Sequence, residues 1–130
     1  MFQLAPVLIS TCLVLGMVRS CGCDRQSHSK QTPAGDLQSR LEAALQLTNP
    51  NTKDQSLREL AGDAAQSVQG TIVLAALDGI GNVNTRDQTA RECAMTLAKA
   101  KDLPSANKVA AKIENVNTRD ETMRVLAQGK

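Results

Sequence analysis

The 130-residue chain contains a single aromatic residue, Phe2, and neither tryptophan nor tyrosine. Phe2 alone does not provide the set of aromatic side chains that stack on successive bases, and the net charge of the chain is only +2 with the two signs interspersed, so a nucleic-acid-binding protein is not expected. A core without aromatic residues also predicts modest stability, because these side chains bury the largest areas. Self-association or a partner would add to that stability.

Histidine is as scarce as the aromatic residues, with His28 as its single copy. The sequence has no glycine-rich phosphate loop, no Cys-x-x-Cys motif and no nucleophile elbow. The usual signatures of nucleotide binding, metal binding and acyl transfer are therefore missing. We predict a protein that is not an enzyme, with no catalytic residue, no bound metal and no cofactor.

What the sequence does contain is an internal repeat. The segment NVNTRD at 82–87 recurs unchanged at 115–120, and the similar segment NPNTKD begins at Asn49, so the three copies share a constant period of 33. Related segments at one period between about 20 and 50 residues indicate a repeat array, in which each unit buries an apolar face against its neighbours.

Each copy of the repeated segment predicts the start of a helix. A threonine is followed three residues later by glutamine or glutamate, which is the spacing of a capping box, and an aspartate falls in the predicted first turn, where the helix dipole favours it. Each aspartate also precedes an arginine by four residues, the spacing of an intrahelical ion pair. The predicted structural caps are Thr52, Thr85, Thr118, Asp54, Asp87 and Asp120.

The apolar residues after each start follow a helical period. They predict first helices near 53–67, 86–100 and 119–128. A second set of segments lies at a common phase of the repeat and predicts partner helices at 35–47, 68–80 and 101–113. Because the connections are short, neighbouring helices are expected to be antiparallel.

This pattern resembles a tetratricopeptide-type helical-hairpin repeat over residues 36–130. Ala61, Ala94 and Ala127 fall where that family has a small residue in its first helix, and the segment GDLQSRLEAAL resembles its turn and second helix. The period is 33 instead of about 34, and the family's aromatic positions are empty. The predicted fold is all-α, a short right-handed α-hairpin solenoid of about six antiparallel helices. The resemblance implies a scaffold that binds a protein or peptide.

In the register of that family, Arg58, Arg91 and Arg124 fall on the inner face of the first helices. A guanidinium fork matches a carboxylate, so a row of arginines predicts a partner with acidic side chains or a terminal carboxylate. The alternative is a structural Asp–Arg ladder, since each arginine has an aspartate one turn away. The predicted partner-binding residues are Arg58, Arg91, Arg124, Gln55, Gln88 and Lys99.

Residues 2–18 form an apolar stretch that is short for a membrane-spanning helix and suits the core of a signal peptide. Small or branched residues at Val18 and Ser20 precede Cys21, which resembles the cleavage site of a bacterial lipoprotein. Arg19 departs from that pattern, and so does the absence of lysine or arginine before the apolar stretch.

We therefore predict a signal peptide at 1–20, lipidation of Cys21 and a disordered polar tether at 21–35. The protein would be exported and held by lipid at a membrane of the cell envelope. Cleavage before Cys23 and a retained N-terminal membrane anchor are the alternatives.

Two other functions remain open at this level. Cys21, Cys23 and His28 offer three soft ligands for zinc or copper, which would make the tether a metal- or redox-handling segment with the repeats as a spacer. Alternatively, the repeats form a self-associating structural array, a homo-oligomer without another ligand. Cys93 takes the repeat position of Leu60 and is predicted to be a small buried apolar residue.

Overall fold

The computed structural model of the chain describes residues 34–129, and these form six α-helices and no strand. The prediction of an all-α fold is confirmed for this part of the chain. The helices are α1 (Ala34–Leu45), α2 (Pro50–Gln66), α3 (Gly70–Gly79), α4 (Val83–Lys99), α5 (Leu103–Ala110) and α6 (Val116–Gln128). The predicted signal peptide, the cleavage site at Cys21 and nearly all of the tether lie outside the described residues.

The helices form two rows. Helices α2, α4 and α6 contact one another in that order and are called the first row, while α1, α3 and α5 do the same and are called the second row. The most extensive contacts between the rows join α2 to α3 and α4 to α5. One apolar core lies between the rows, built from leucine, isoleucine, valine and alanine.

The first-row helices begin three residues before the predicted starts. Their N-caps are Asn49, Asn82 and Asn115, each with an extended backbone. The side-chain oxygen of Asn82 accepts a hydrogen bond from the Thr85 amide at 3.1 Å, and the other two caps do the same with the threonine at the equivalent position.

The prediction that Thr52, Thr85 and Thr118 are the caps is therefore wrong. These threonines lie inside the first turn and supply the backbone amide that the asparagine caps. The predicted capping box is absent as well, since Gln55 donates to Glu59 at 3.2 Å and Gln88 donates to Glu92 at 3.1 Å, each one turn further along the helix. Asparagine and threonine are both good N-caps, so the local sequence offered two choices three residues apart.

A residue with left-handed backbone ends each long first-row helix. Val68 has φ 58° and Lys101 has φ 66°, and these two residues occupy the same position of the repeat. The following amides fold back on the helix, with Gln69 N donating to the Ala64 carbonyl at 2.8 Å. This conformation is unfavourable by roughly 1–2 kcal/mol for a residue with a Cβ. Glycine usually occupies such a helix end for that reason, but neither of these two positions carries it.

The core is made of medium and small side chains. Leu57, Leu77 and Leu97 are completely buried, and the predicted burial of Cys93 is confirmed at 2% exposure. Close approach between rows or within a row uses the smallest residues: a Cβ added to Gly70 would lie 2.6 Å from Ser105 Cβ, a contact that joins α3 to α5. Removing any of the fully buried leucines would leave a cavity and cost about 2–5 kcal/mol.

Candidate functional site

The repeated aspartates join one first-row helix to the start of the next. The Asp54 carboxylate accepts hydrogen bonds from the amides of Gly81 and Asn82, both at 2.9 Å. The same contact recurs one repeat later, where the Asp87 carboxylate accepts from the amides at 114 and 115, again both at 2.9 Å. We call this two-amide contact the aspartate clamp.

The aspartate clamp replaces the predicted role of these residues. Asp54 and Asp87 lie past the first turn of their helices and are not bound to the arginines one turn away, so neither dipole stabilisation nor an Asp–Arg ladder describes them. Charge-assisted hydrogen bonds to backbone amides are among the stronger contacts in proteins. Asp120 has no such contact among residues 34–129; its side chain is 73% exposed and lies 4.0 Å from the Arg119 Nε.

The arginines of the first row pair with glutamates of the next helix. Arg58 Nη2 lies 3.4 Å from the Glu92 carboxylate, and Arg91 Nη2 lies 3.3 Å from that of Glu121. Both pairs are about half exposed, so each contributes about 0–1 kcal/mol. Among the described residues Arg124 has no ion-pair partner. The predicted row of arginines is thus partly occupied by weak, exchangeable ion pairs.

Two depressions lie along the exposed side of the first row, and we call this side the first-row surface. The first depression, of about 650 Å³, has Gln55 and Arg58 in its lining. Its carboxylates outnumber its single cation, so it is acidic. These carboxylates are Asp54, Glu59, Asp63 and Glu92.

The second depression, of about 550 Å³, lies further along the same surface. Arg91 and Lys99 supply two cations against the single carboxylate of Glu92, and the half-buried Met95 adds an apolar contact. The structure thus brings Gln88, Arg91 and Lys99 together, and it places Gln55 and Arg58 in a separate depression of opposite character. Arg124 is exposed on α6 and lines neither of the two.

Repeat periodicity did not reveal the glutamate partners. Glu92 and Glu121 occupy different positions of the repeat, so no comparison of one copy with the next singles them out. The asparagine caps, in contrast, recur at the repeat period and were visible in the sequence.

The described residues show no site for metal or thiolate chemistry. In residues 34–129 no group of three or more His, Cys, Asp or Glu side chains is placed to hold a metal ion. Burial, followed by the neighbouring Glu92 carboxylate, raises the pKa of the Cys93 thiol to about 12, so this thiol stays protonated at neutral pH. The predicted alternative at Cys21, Cys23 and His28 lies outside the described residues.

None of the helices in the part of the chain that the structure describes has the length and apolar character needed to cross a membrane. No protein-family model, no curated protein and no solved structure matches the chain. The chemistry of the first-row surface is therefore the basis on which a function is assigned.

Proposed function

We propose that this chain is a non-enzymatic helical-repeat scaffold that binds a protein or peptide segment on its first-row surface. In this proposal the two rows are a short right-handed solenoid of antiparallel α-hairpins, similar to tetratricopeptide-type repeats. Three features that recur at the repeat period support it: the asparagine cap, the aspartate clamp and the left-handed helix end. The order of contacts within each row also supports it.

The second depression carries the proposal. Its two cations, Arg91 and Lys99, exceed its carboxylates, and Met95 offers an adaptable apolar contact between them. The Arg91–Glu121 pair is 3.3 Å long and half exposed, so a ligand carboxylate can replace Glu121 at little cost. A carboxylate on an extended segment would therefore bind here, as an acidic side chain or as the chain terminus.

The first depression favours a different part of the same ligand. One of its four carboxylates, Asp63, is paired with Arg40 at 2.9 Å, and the others still outnumber Arg58, so this depression would repel an acidic side chain and attract a basic one. The predicted acidic partner is therefore narrowed to a segment that presents a carboxylate to α4 and a basic or neutral polar side chain to α2.

The test uses a library of random peptides displayed on phage and selected on the immobilised full chain. The library is displayed with free C-termini, and the expected result is enrichment of peptides with acidic residues in the chain or at its terminus. The affinity of the selected peptides should fall at least tenfold in Arg91→Gln/Lys99→Gln and should also fall with added salt. A matched control is Lys108→Gln, a similar charge removal on the exposed side of α5. Equal affinity for the wild type and the double variant would contradict the proposal.

We also propose that residues 1–20 direct export and that Cys21 receives lipid, which would place the first-row surface at a membrane of the cell envelope. The apolar stretch at 2–18 and the residues around Cys21 support this proposal. The intact mass of the protein from a membrane fraction tests it. A mass that begins at Cys21 with added acyl chains is expected, and an unmodified mass that begins at Met1 would contradict it.

A further inference from the structure

The last first-row helix exposes positions that its counterparts bury. Leu57 in α2 and Ala90 in α4 are completely buried, while Met123 at the same position in α6 is half-buried. Ala61 and Ala94 are also completely buried, while Ala127 is exposed. The physical difference is that α3 packs on α2 and α5 packs on α4, whereas within the described residues no later second-row helix packs on α6.

At the other end, α1, the first helix of the second row, also exposes positions that its counterparts bury. At the position of Ala76 and Val109, which are completely buried, α1 has the exposed Ala43. At the position of Ile80, which is 1% exposed, Leu47 is 37% exposed. Helices α3 and α5 each follow a first-row helix that covers these positions, and α1 has no such helix before it among the described residues.

The preceding segment of the same chain does not have the residues to cover α1. Residues 17–33 lie one period before α2, and their residues at the positions of Leu57, Leu60 and Ala61 are polar. Those polar residues are Asp24, Ser27 and His28. In α6, the same three positions hold Met123, Leu126 and Ala127, which are apolar.

Backbone hydrogen bonding at the two ends is complementary too. Asp120 is the third aspartate of the repeat, and its carboxylate accepts from no amide in residues 34–129. Thr48 and Asn49 lie one period before Gly81 and Asn82, whose amides the aspartate clamp binds. The amides of Thr48 and Asn49 donate no hydrogen bond within the described residues.

The spacing of the Arg58–Glu92 pair leaves one unpaired residue at each end of the described part of the chain. The other pair between first-row helices, Arg91–Glu121, has a spacing of 30 residues and does not repeat it. Arg58 pairs with Glu92, which lies 34 residues later. The equivalent of Arg58 in α6 is Arg124, and the equivalent of Glu92 in α2 is Glu59; within the described residues neither belongs to an ion pair. The two ends carry opposite net charge: 34–66 has five acidic and three basic residues, while 99–129 has six basic and four acidic residues.

We propose that a second copy of this chain docks head to tail on the first, with α6 of one copy packed on α1 and α2 of the next. The contact continues the repeat. Met123 and Ala127 would cover Ala43 and Leu47 of the second copy, and Asp120 would clamp the amides at 48 and 49.

The surface on one copy differs from the surface on the other, so the contact is heterologous and each added copy presents the same free end again. Association then produces an open chain of copies unless the rotation between them closes a ring. This inference does not depend on the proposed peptide site, with which it shares only Glu59, a residue in the lining of the first depression.

The test uses two variants, each blocked at one end. Ala127→Arg places a charge on the exposed face of α6, and Ala43→Arg places one on the exposed face of α1; both sites are exposed, so folding is retained and is checked by the helical circular dichroism signal. Sedimentation velocity of the full chain in a mild nonionic detergent measures size, with the leader present equally in all samples.

The wild type is expected to form larger species as its concentration rises, while each blocked variant stays monomeric. An equimolar mixture of the two variants is expected to give a heterodimer and nothing larger, because one intact α6 face meets one intact α1 face. A wild type that stays monomeric at millimolar concentration overturns the proposal, and so do blocked variants that associate like the wild type. A mixture that stays monomeric also overturns it.

A charge exchange provides an independent check should either blocked variant fail to fold. Arg124→Glu and Glu59→Arg are each expected to weaken association severalfold, and the double variant is expected to restore it, because the pair re-forms with its signs reversed. Lys108→Glu, an exposed charge reversal on α5 outside the proposed contact, is the matched control and should weaken association much less than either single variant. Failure of the double variant to recover association beyond either single variant contradicts the proposed register.

Discussion

Replacing Asp87 by asparagine is the most direct test of the aspartate clamp. Asp87 is 7% exposed, and each of its two carboxylate oxygens accepts a hydrogen bond from a backbone amide at 2.9 Å. Hydrogen bonds to a charged group contribute about 1.5–3 kcal/mol each. Asparagine keeps one acceptor oxygen, now without the charge, and turns an NH₂ group towards the second amide, so one hydrogen bond is lost and the other is no longer charge-assisted.

The chain contains its own graded controls for this substitution. Water can reach the amides at 114 and 115, because both residues are exposed, so the expected cost of Asp87→Asn is about 2 kcal/mol in the free energy of unfolding. Asp54 makes the same two bonds from a half-buried position and should cost about 1–2 kcal/mol. Asp120 clamps no amide in the described residues, so Asp120→Asn should change the stability by less than about 0.5 kcal/mol.

The assay is urea unfolding followed by circular dichroism at the helical band, since the chain has no tryptophan or tyrosine to serve as a fluorescent probe. The three variants are compared at a concentration at which the chain is monomeric, so that a contact between copies does not contribute at Asp120. If Asp120→Asn destabilises the protein as much as Asp87→Asn, the aspartates act through the helix itself and the clamp is not what stabilises the fold.

Four further substitutions test the local structure. Asn82→Ala should cost about 1 kcal/mol of unfolding free energy and Thr85→Ala less than about 0.5 kcal/mol, because asparagine is the cap. If urea titrations show a larger loss for Thr85→Ala than for Asn82→Ala, the threonine is the cap instead. Gly62→Ala should stabilise the protein by about 0.5–1 kcal/mol, since a Cβ there has open space within α2, and Val68→Gly should stabilise it by roughly 1 kcal/mol by relieving the left-handed valine. A lower unfolding midpoint in either variant contradicts this reasoning. The pKa of Cys93 rises from 9.0 to about 12 on folding, so above about pH 9 the unfolded chain has released a proton that the folded chain retains. Stability should then fall by up to about 1.4 kcal/mol per pH unit more steeply in the wild type than in Cys93→Ala, and parallel curves would refute the shift.

The period, the all-α class and the number of helices were predictable because each depends on local information. A helical spacing such as that of Leu57, Leu60, Ala61 and Ala64 determines which face of a segment is apolar, whatever that face later contacts. Recurrence of the same segment at one constant period then shows that the units are alike.

The helix starts were not predictable from the repeated segment alone. Asn82 and Thr85 are both competent N-caps, and an isolated segment has little to choose between them. In the folded chain the Asp54 carboxylate, 28 residues earlier in the sequence, binds the Asn82 amide at 2.9 Å and adds a tertiary contact to this cap. Asn49 caps α2 in the same extended conformation without a clamp among the described residues, so the clamp strengthens the asparagine cap and is not required for it.

The partners of the charged residues were also decided by tertiary structure. An aspartate four residues before an arginine has the spacing of an ion pair, but Asp54 instead binds two backbone amides that are already held in place. Ordering the long Arg58 side chain would cost entropy for a weak exposed pair, whereas the amides offer two short charge-assisted bonds. Arg58 is left to pair with Glu92, a residue brought near it by the packing of α4 on α2. Periodicity therefore determines which side chains lie on the surface, and only the packing of one helix on the next decides which of them meet.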